Sequence, residues 1–347
     1  MSEKISEKLP RRSVLAGAAL TLGMMALGPA ALKAQSAPIV VKMGTLAPEG
    51  SPWYKVLRSM GEEWEKLSAG RVKLKLYPGG VSGNEGQMLK KMRIGQLHAA
   101  SFTSTGLIDI DRGSMALQAP MTISSYEEYD FVLSKLGPTL EKRIEDKGFK
   151  VMGWGDVGWV HFFTKTPLST VDELKRSKMY AWSGDPEATA AFVKLGLKPV
   201  TVDATDVLMS LQTGMIESFP STPLAALSLQ WFGLAKNMVD VPWSPMVGAT
   251  IISKKTWDQI PAELQPKIQA AAKKATEELK KQVRTLDRDA IEVMKKSGLK
   301  VIPVSNKAEW KAFADSFVPH IRGTVMSADM LDEVQRLHKE YISQVKK

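Results

Sequence analysis

Apolar and polar positions alternate from Val72 to Leu76, the period of a half-buried strand, and the strand reads on to Tyr77. A Pro78-Gly79-Gly80 turn follows, then Met88, Leu89 and Met92 at helical spacing, a stop at Gly95 and a strand-like run from Leu97 to Thr103. The same phrase returns later as Lys198 to Val202, a helix carrying Val207, Leu208 and Leu211, a stop at Gly214 and a strand from Met215 to Phe219. Each is a β-α-β unit with glycine where a helix C-terminus takes a left-handed residue. Such crossovers are right-handed, build parallel sheets and leave ligand crevices beyond the carboxyl ends of the strands. Glycine-capped units occur in many α/β proteins, but two of them far apart suggest two sheets, each offering one edge to a cleft.

The remaining pattern fills in around these units. Ile39 to Gly44 reads as a β-branched strand that ends in a turn-rich loop, Thr45 to Pro52, ahead of a helix from Trp53 to Leu67. Helical spacing recurs over Tyr126 to Leu136 and Pro138 to Lys147. A strand from Phe149 to Trp154 is followed by Gly155-Asp156-Val157-Gly158 and a second apolar run, Trp159 to Thr164. This glycine-punctuated bridge is a candidate domain crossing. A return crossing is expected at Val241 to Pro245, before a strand from Gly248 to Ser253. From Pro261 to Ser297 the chain reads as one helix; ~35 residues at 1.5 Å rise give roughly 50 Å, longer than one lobe is wide. Ala270 to Ala275 is too irregular to sustain coiled-coil heptads.

Composition changes this picture mainly at the N-terminus. Lys4, Lys8, Arg11 and Arg12 precede an uncharged apolar run from Val14 to Leu32, with small residues clustered at Ala34 to Ala37. That is the layout of an export signal, and the Arg11-Arg12-Ser13-Val14-Leu15 order resembles a twin-arginine signal. Removing residues 1–34 takes away five cations and two anions, so the net charge of +10 falls to about +7. The cations are interleaved with Glu and Asp along helices, a solvated surface and not a nucleic-acid stripe. The chain has no cysteine, so neither disulfides nor thiolate chemistry is available. About 310 residues beyond the signal suggest two domains.

These features together resemble the solute-binding subunit of tripartite ATP-independent periplasmic (TRAP) transporters, dicarboxylate type. The matches are the opening strand and Pro-rich loop, Pro78-Gly79-Gly80 with Glu85 ahead of the helix ending at Gly95, and Gly148-Phe149-Lys150-Val151. Further matches are Val171-Asp172-Glu173-Leu174-Lys175 leading to Lys178-Met179, Leu211-Gln212-Thr213-Gly214, and the helix after Leu264-Gln265. The resemblance implies an α/β periplasmic-binding-protein fold: two lobes around a ligand cleft, with a long bridging helix. Residues 38–157 and 245–283 are assigned to lobe I, and 158–244 and 284–347 to lobe II, with 1–37 as the export signal. It also implies a periplasmic location and delivery of the solute to a permease in the membrane.

Departures from the family pattern bear on the ligand. The resemblance places a carboxylate-gripping arginine where this chain has Tyr180, a second at Val160 and an asparagine near Ser221. Charge-assisted hydrogen bonds contribute ~1.5 to 3 kcal/mol each, so their loss without replacement costs a carboxylate about one to four orders of magnitude in affinity. Five of the nine tryptophans, Trp154, Trp159, Trp182, Trp231 and Trp243, lie between 150 and 243. Trp159, Tyr180, Trp182 and Trp243 fall near expected cleft or hinge positions, whereas Trp231 reads more as packing. The expected ligand is therefore a small organic acid more aromatic or apolar than succinate. Ser51, Trp53, Glu85 and Thr103 are expected at the site from lobe I, and Trp159, His161, Tyr180, Trp182, Ser218, Ser221 and Trp243 from lobe II and the hinge.

Catalytic signals are missing. His98, His161, His320 and His338 are scattered without metal-ligand spacing, and no nucleophile elbow, P-loop or dinucleotide fingerprint occurs. The reading is of a binding protein, not an enzyme, that calls for no cofactor, metal or nucleic acid. A sensory binding subunit and an extracytoplasmic hydrolase are the alternatives, and both a monomer and a homodimer fit.

Overall fold

The computed structural model describes residues 37–345; apart from Ala37, the expected export signal lies outside them. Ten strands occur among the described residues: β1 (Ile39–Thr45), β2 (Val72–Tyr77), β3 (Ala99–Thr103), β4 (Phe149–Thr164), β5 (Lys178–Trp182), β6 (Lys198–Val202), β7 (Ser218–Ser221), β8 (Asn237–Asp240), β9 (Ser244–Ser253) and β10 (Lys300–Pro303). The first glycine-capped unit places β2 and β3 on either side of β1, all parallel. The second repeats this with β6 and β7 on either side of β5. Both stops are left-handed, Gly95 at φ 76° and Gly214 at φ 74°.

Each parallel triplet is extended by one antiparallel strand, β9 beside β3 and β4 beside β7. β9 and β4 also pair with each other from Phe149–Ser253 to Val160–Ser244. The order is therefore β2-β1-β3-β9-β4-β7-β5-β6, with β8 against β4 and β10 against β8. Two α/β halves share a pair of crossing strands, which is a two-lobed α/β binding-protein architecture.

The two strands predicted on either side of Gly155 to Gly158 are one strand. β4 runs unbroken for 16 residues, because β9 supplies a partner along the stretch and two register shifts, at Val151/Gly153 and Asp156/Gly158, absorb the irregularity as bulges. The glycines serve the helix laid over the strand, Gln265–Lys296, 32 residues long and so ~48 Å. A Cβ at Gly153 would stand 2.3 Å from the Thr276 hydroxyl. One at Gly158, whose φ of 122° already favours glycine, would stand 2.7 Å from the Asp287 carboxyl. β9 likewise begins at Ser244, four residues before the predicted Gly248, and β7 covers Ser218–Ser221 where Met215 to Phe219 was predicted.

A second difference lies in the predicted pair of helices at 126–147. They form one helix, Tyr126–Glu145, with Pro138 inside it. An internal proline costs about 3 kcal/mol, but Tyr129, Val132, Leu136, Leu140 and Ile144 are all buried along this helix, and that burial offsets the cost. Tyr129, Val132, Leu136 and Leu140 pack into a core that also holds Val160 and Phe162 of β4, Trp310, Phe313 and Phe317 of the helix Lys307–Ile321, and Leu331 and Val334 of the helix Ala328–Val345. This core takes residues from both sides of the expected lobe boundary.

Candidate functional site

A cavity of about 320 Å³ opens where the carboxyl ends of the parallel strands of both halves converge. From the first half come Thr45 at the end of β1 with the loop Leu46 to Pro48, Ser101 to Thr103 of β3, and Glu85. From the second come Tyr180, Ala181 and Trp182 of β5, Asp185, and Pro220 and Ser221 of β7. The crossing strands contribute Gly155, Asp156, Met246 and Thr250, and the long helix contributes Thr276 and Leu279. Parallel strands leave their ligand crevice at this end because the crossover loops diverge there.

Most of the wall is apolar, with Trp53, Phe102, Met115, Tyr180, Trp182, Phe192 and Trp231. None of the described lining residues is Lys, Arg or His. The carboxyl groups on the wall are Glu85, Asp156 and Asp185. Asp156 accepts from Arg284 Nε at 2.7 Å, and that guanidinium also donates to Asp130 at 2.8 and 2.6 Å and lies 4.4 Å over the Tyr126 ring. Burial still pushes the Asp156 carboxyl up more than Arg284 draws it down. Asp185 caps the helix Pro186–Lys194 and accepts from Arg112 at 3.1 Å.

Glu85 has no cation beside it among the described residues. It opens the helix Glu85–Arg93, which a reciprocal Asn84–Gln87 capping box fixes, and it is only 5% exposed. Its Oε1 accepts the Thr103 N–H at 2.6 Å and its Oε2 accepts the Thr103 hydroxyl at 2.8 Å. Burial pushes the carboxyl up to about 7, against the opposing pull of Thr103 and the Gly106 N–H. Tyr180 of β5 lines the same cavity: burial first, then the Glu85 and Asp203 charges, raise the phenol far above its usual range, so it stays protonated.

The structure brings Trp53, Glu85, Thr103, Tyr180, Trp182 and Ser221 to the cavity wall. The other residues expected there lie elsewhere. Ser51 caps the helix Pro52–Leu67. Trp159 sets its ring edge-on against Tyr126 at 5.7 Å and donates its backbone N–H to Asp287. His161 is buried, with Nδ1 3.1 Å from the Val239 carbonyl, and burial holds its pKa down. Ser218 is sealed against Ser177, and Trp243 packs on Phe162 and Phe317. Val160, where the resemblance places a second arginine, is buried in the core. Residues absent from the sequence expectation also line the wall: Asp156, Asp185, Met115, Phe192, and Trp231, which was read as packing. The Asp185-Pro186 capping signal was legible, but nothing local tells that its helix opens onto a cavity.

Comparison with known proteins places this geometry. Residues 43–322 match the family model DctP, described as bacterial extracellular solute-binding protein, family 7. The 2,3-diketo-L-gulonate-binding periplasmic protein YiaO of Escherichia coli is 24% identical over 90% of this chain and 96% of its own. The C4-dicarboxylate-binding periplasmic protein DctP of Rhodobacter capsulatus is 23% identical, over 75% and 79%. Among solved structures, a TRAP periplasmic solute-binding protein from Xanthobacter autotrophicus with bound β-D-galacturonate superposes with a TM-score of 0.80 at 20% identity, covering 86% of this chain and 99% of that one. One from Desulfovibrio salexigens with bound orotic acid gives 0.78 at 18%, covering 88% and 99%. No described helix is long and apolar enough to cross a membrane.

Proposed function

The chain belongs to the DctP family of bacterial extracellular solute-binding proteins, family 7, and on that premise we propose that it captures a small organic acid with an aromatic or otherwise apolar body. The relatives' names and bound ligands, a diketo-gulonate, a C4-dicarboxylate, a uronate and orotic acid, support an acid. The observation that carries the apolar body is the cavity wall, aromatic on both halves and without Lys, Arg or His. Trp53, Trp182 and Trp231 offer flat faces with a polar edge, which suits rings and acyl chains better than a polyhydroxy chain. In this reading the solute binds in the periplasm, contacts both halves and so favours the closed arrangement by its differential affinity. The membrane subunits of a TRAP permease then receive it.

Thermal stability of the purified protein against dicarboxylates, sugar acids, keto acids and aromatic monoacids tests this. A ligand at about 100 times its dissociation constant adds ~2.7 kcal/mol, a raised melting temperature. Aromatic or apolar acids are expected to stabilise; a response to succinate and galacturonate alone overturns the proposal.

A further inference from the structure

We propose that the solute's carboxylate is held without any cation, by two uncharged donors from the two halves of the cavity wall: the carboxyl of Glu85, carrying a proton, and the phenol of Tyr180. This rests on the acid reading above and goes further, because it assigns what stands in for a guanidinium and makes capture take up a proton. A carboxylate entering this cavity meets no Lys, Arg or His on the described wall. Asp156 and Asp185 are each already held by an arginine, Arg284 and Arg112. Glu85 is held only by neutral donors, the Thr103 N–H and hydroxyl and the Gly106 N–H. Tyr180 stands where relatives are expected to carry arginine, lines the cavity, and its phenol makes no hydrogen bond to any described residue.

The titratable groups around Glu85 are few. Tyr180 of β5 lines the cavity with it, and the charges of Glu85 and Asp203 both act on that phenol. Asp109 lies beside the first turn of its helix at Gly86. All are acids, so none favours an ionised Glu85, and a second carboxylate placed beside it drives it further toward the neutral form. Two carboxyl groups in an apolar site share one proton as a short O–H···O bond, and a neutral carboxylic acid beside a tyrosine is a known way to hold an oxyanion. The balance is simple: the solute enters as its anion, one proton comes from solvent onto Glu85, and no other bond changes. Because burial, even against the hydrogen bonds from Thr103 and Gly106, already brings Glu85 to about 7, that proton is cheap to add at neutral pH.

Isothermal titration with benzoate, phenylacetate and cinnamate, beside the neutral phenylacetamide and the cationic phenethylamine, tests this from pH 6 to 9. The expected result is that an aromatic acid binds, with affinity falling up to roughly tenfold per unit above about pH 7, and that buffers of different ionisation enthalpy report uptake approaching one proton at high pH. Glu85→Gln, whose amide donates without titrating, should bind the acid with flat pH dependence. Tyr180→Phe should keep the pH dependence and lose roughly ten- to hundredfold in affinity, which serves if the first variant does not fold. Acid binding that is independent of pH overturns this inference and leaves the apolar-acid reading standing, whereas a preference for the amide or amine overturns both. Binding of succinate or galacturonate alone, or of nothing in either panel, overturns both.

Discussion

Asp287 shows how one residue ties the long helix to the strand and helix beneath it. It sits on the long helix, accepts the backbone N–H of Trp159 at 3.2 Å and of Leu224 at 2.9 Å, and is 5% exposed. Burial pushes its carboxyl up to about 6. A carboxyl raised above its unfolded value favours the protonated fold, so its contribution is fully present below about pH 4 and is lost as the pH rises through 6, by ~3 kcal/mol. Asp287→Ala strands two buried N–H groups and should cost about 2–4 kcal/mol, with a larger loss at pH 4 than at pH 8 in paired denaturant titrations. Equal losses at both pH values would contradict the assignment. At Arg284 the sign is simpler: Arg284→Ala leaves Asp156, 3% exposed, without its cation, and should cost ~3–5 kcal/mol. Neither role is legible in the sequence, because the partners of each lie dozens to more than a hundred positions away.

At the scale of elements, the periodic pattern was most informative where each element is its own reason to exist. β2, β6 and both glycine stops follow from alternation and from the left-handed C-terminus, which are local. The pattern misled where a neighbour decides. Gly155 to Gly158 looks like a linker by itself, but it is the middle of β4 because β9 pairs with it, and the long helix leaves no room for a side chain at Gly158. Pro138 looks like a boundary, but the buried residues of its helix outweigh it. Gly153→Val should therefore push the helix off the strand and destabilise by more than an exposed-loop Gly→Val change, about 2–4 kcal/mol from overpacking and backbone restriction. A loss below ~0.5 kcal/mol would mean that the helix does not bear on the strand there. The candidate site was partly legible: Glu85 and Thr103 stand at the helix start and the strand end of the first β-α-β unit, and the family resemblance marks Tyr180 and Trp182, whereas Trp159, His161 and Trp243 share their composition and face the core.

For the whole molecule, the cavity lies between halves that touch at more than the crossing strands. Trp182 approaches the first helical turn at Gly86, and Thr205 approaches Gly80, so side chains of the second half rest on the first. Solute binding should hold these contacts closed, visible as a smaller radius of gyration in solution scattering and a shift in tryptophan emission from Trp53, Trp182 and Trp231. An unchanged radius at saturation would mean that closure does not depend on the solute.

The strand that completes the first sheet carries a consequence for the order of synthesis. β3 pairs on one side with β1 and on the other with β9, yet β9 leaves the ribosome some 140 residues after β3, behind all of β5, β6 and β7. Until then the nascent first half presents β3 as an open edge, a template for other chains. A chain truncated after Asp240 should accordingly aggregate or be degraded and not persist as a folded half, while adding a separate peptide of residues 241–345 should rescue it. The molecule is thus finished from its far end, and its two halves mature together.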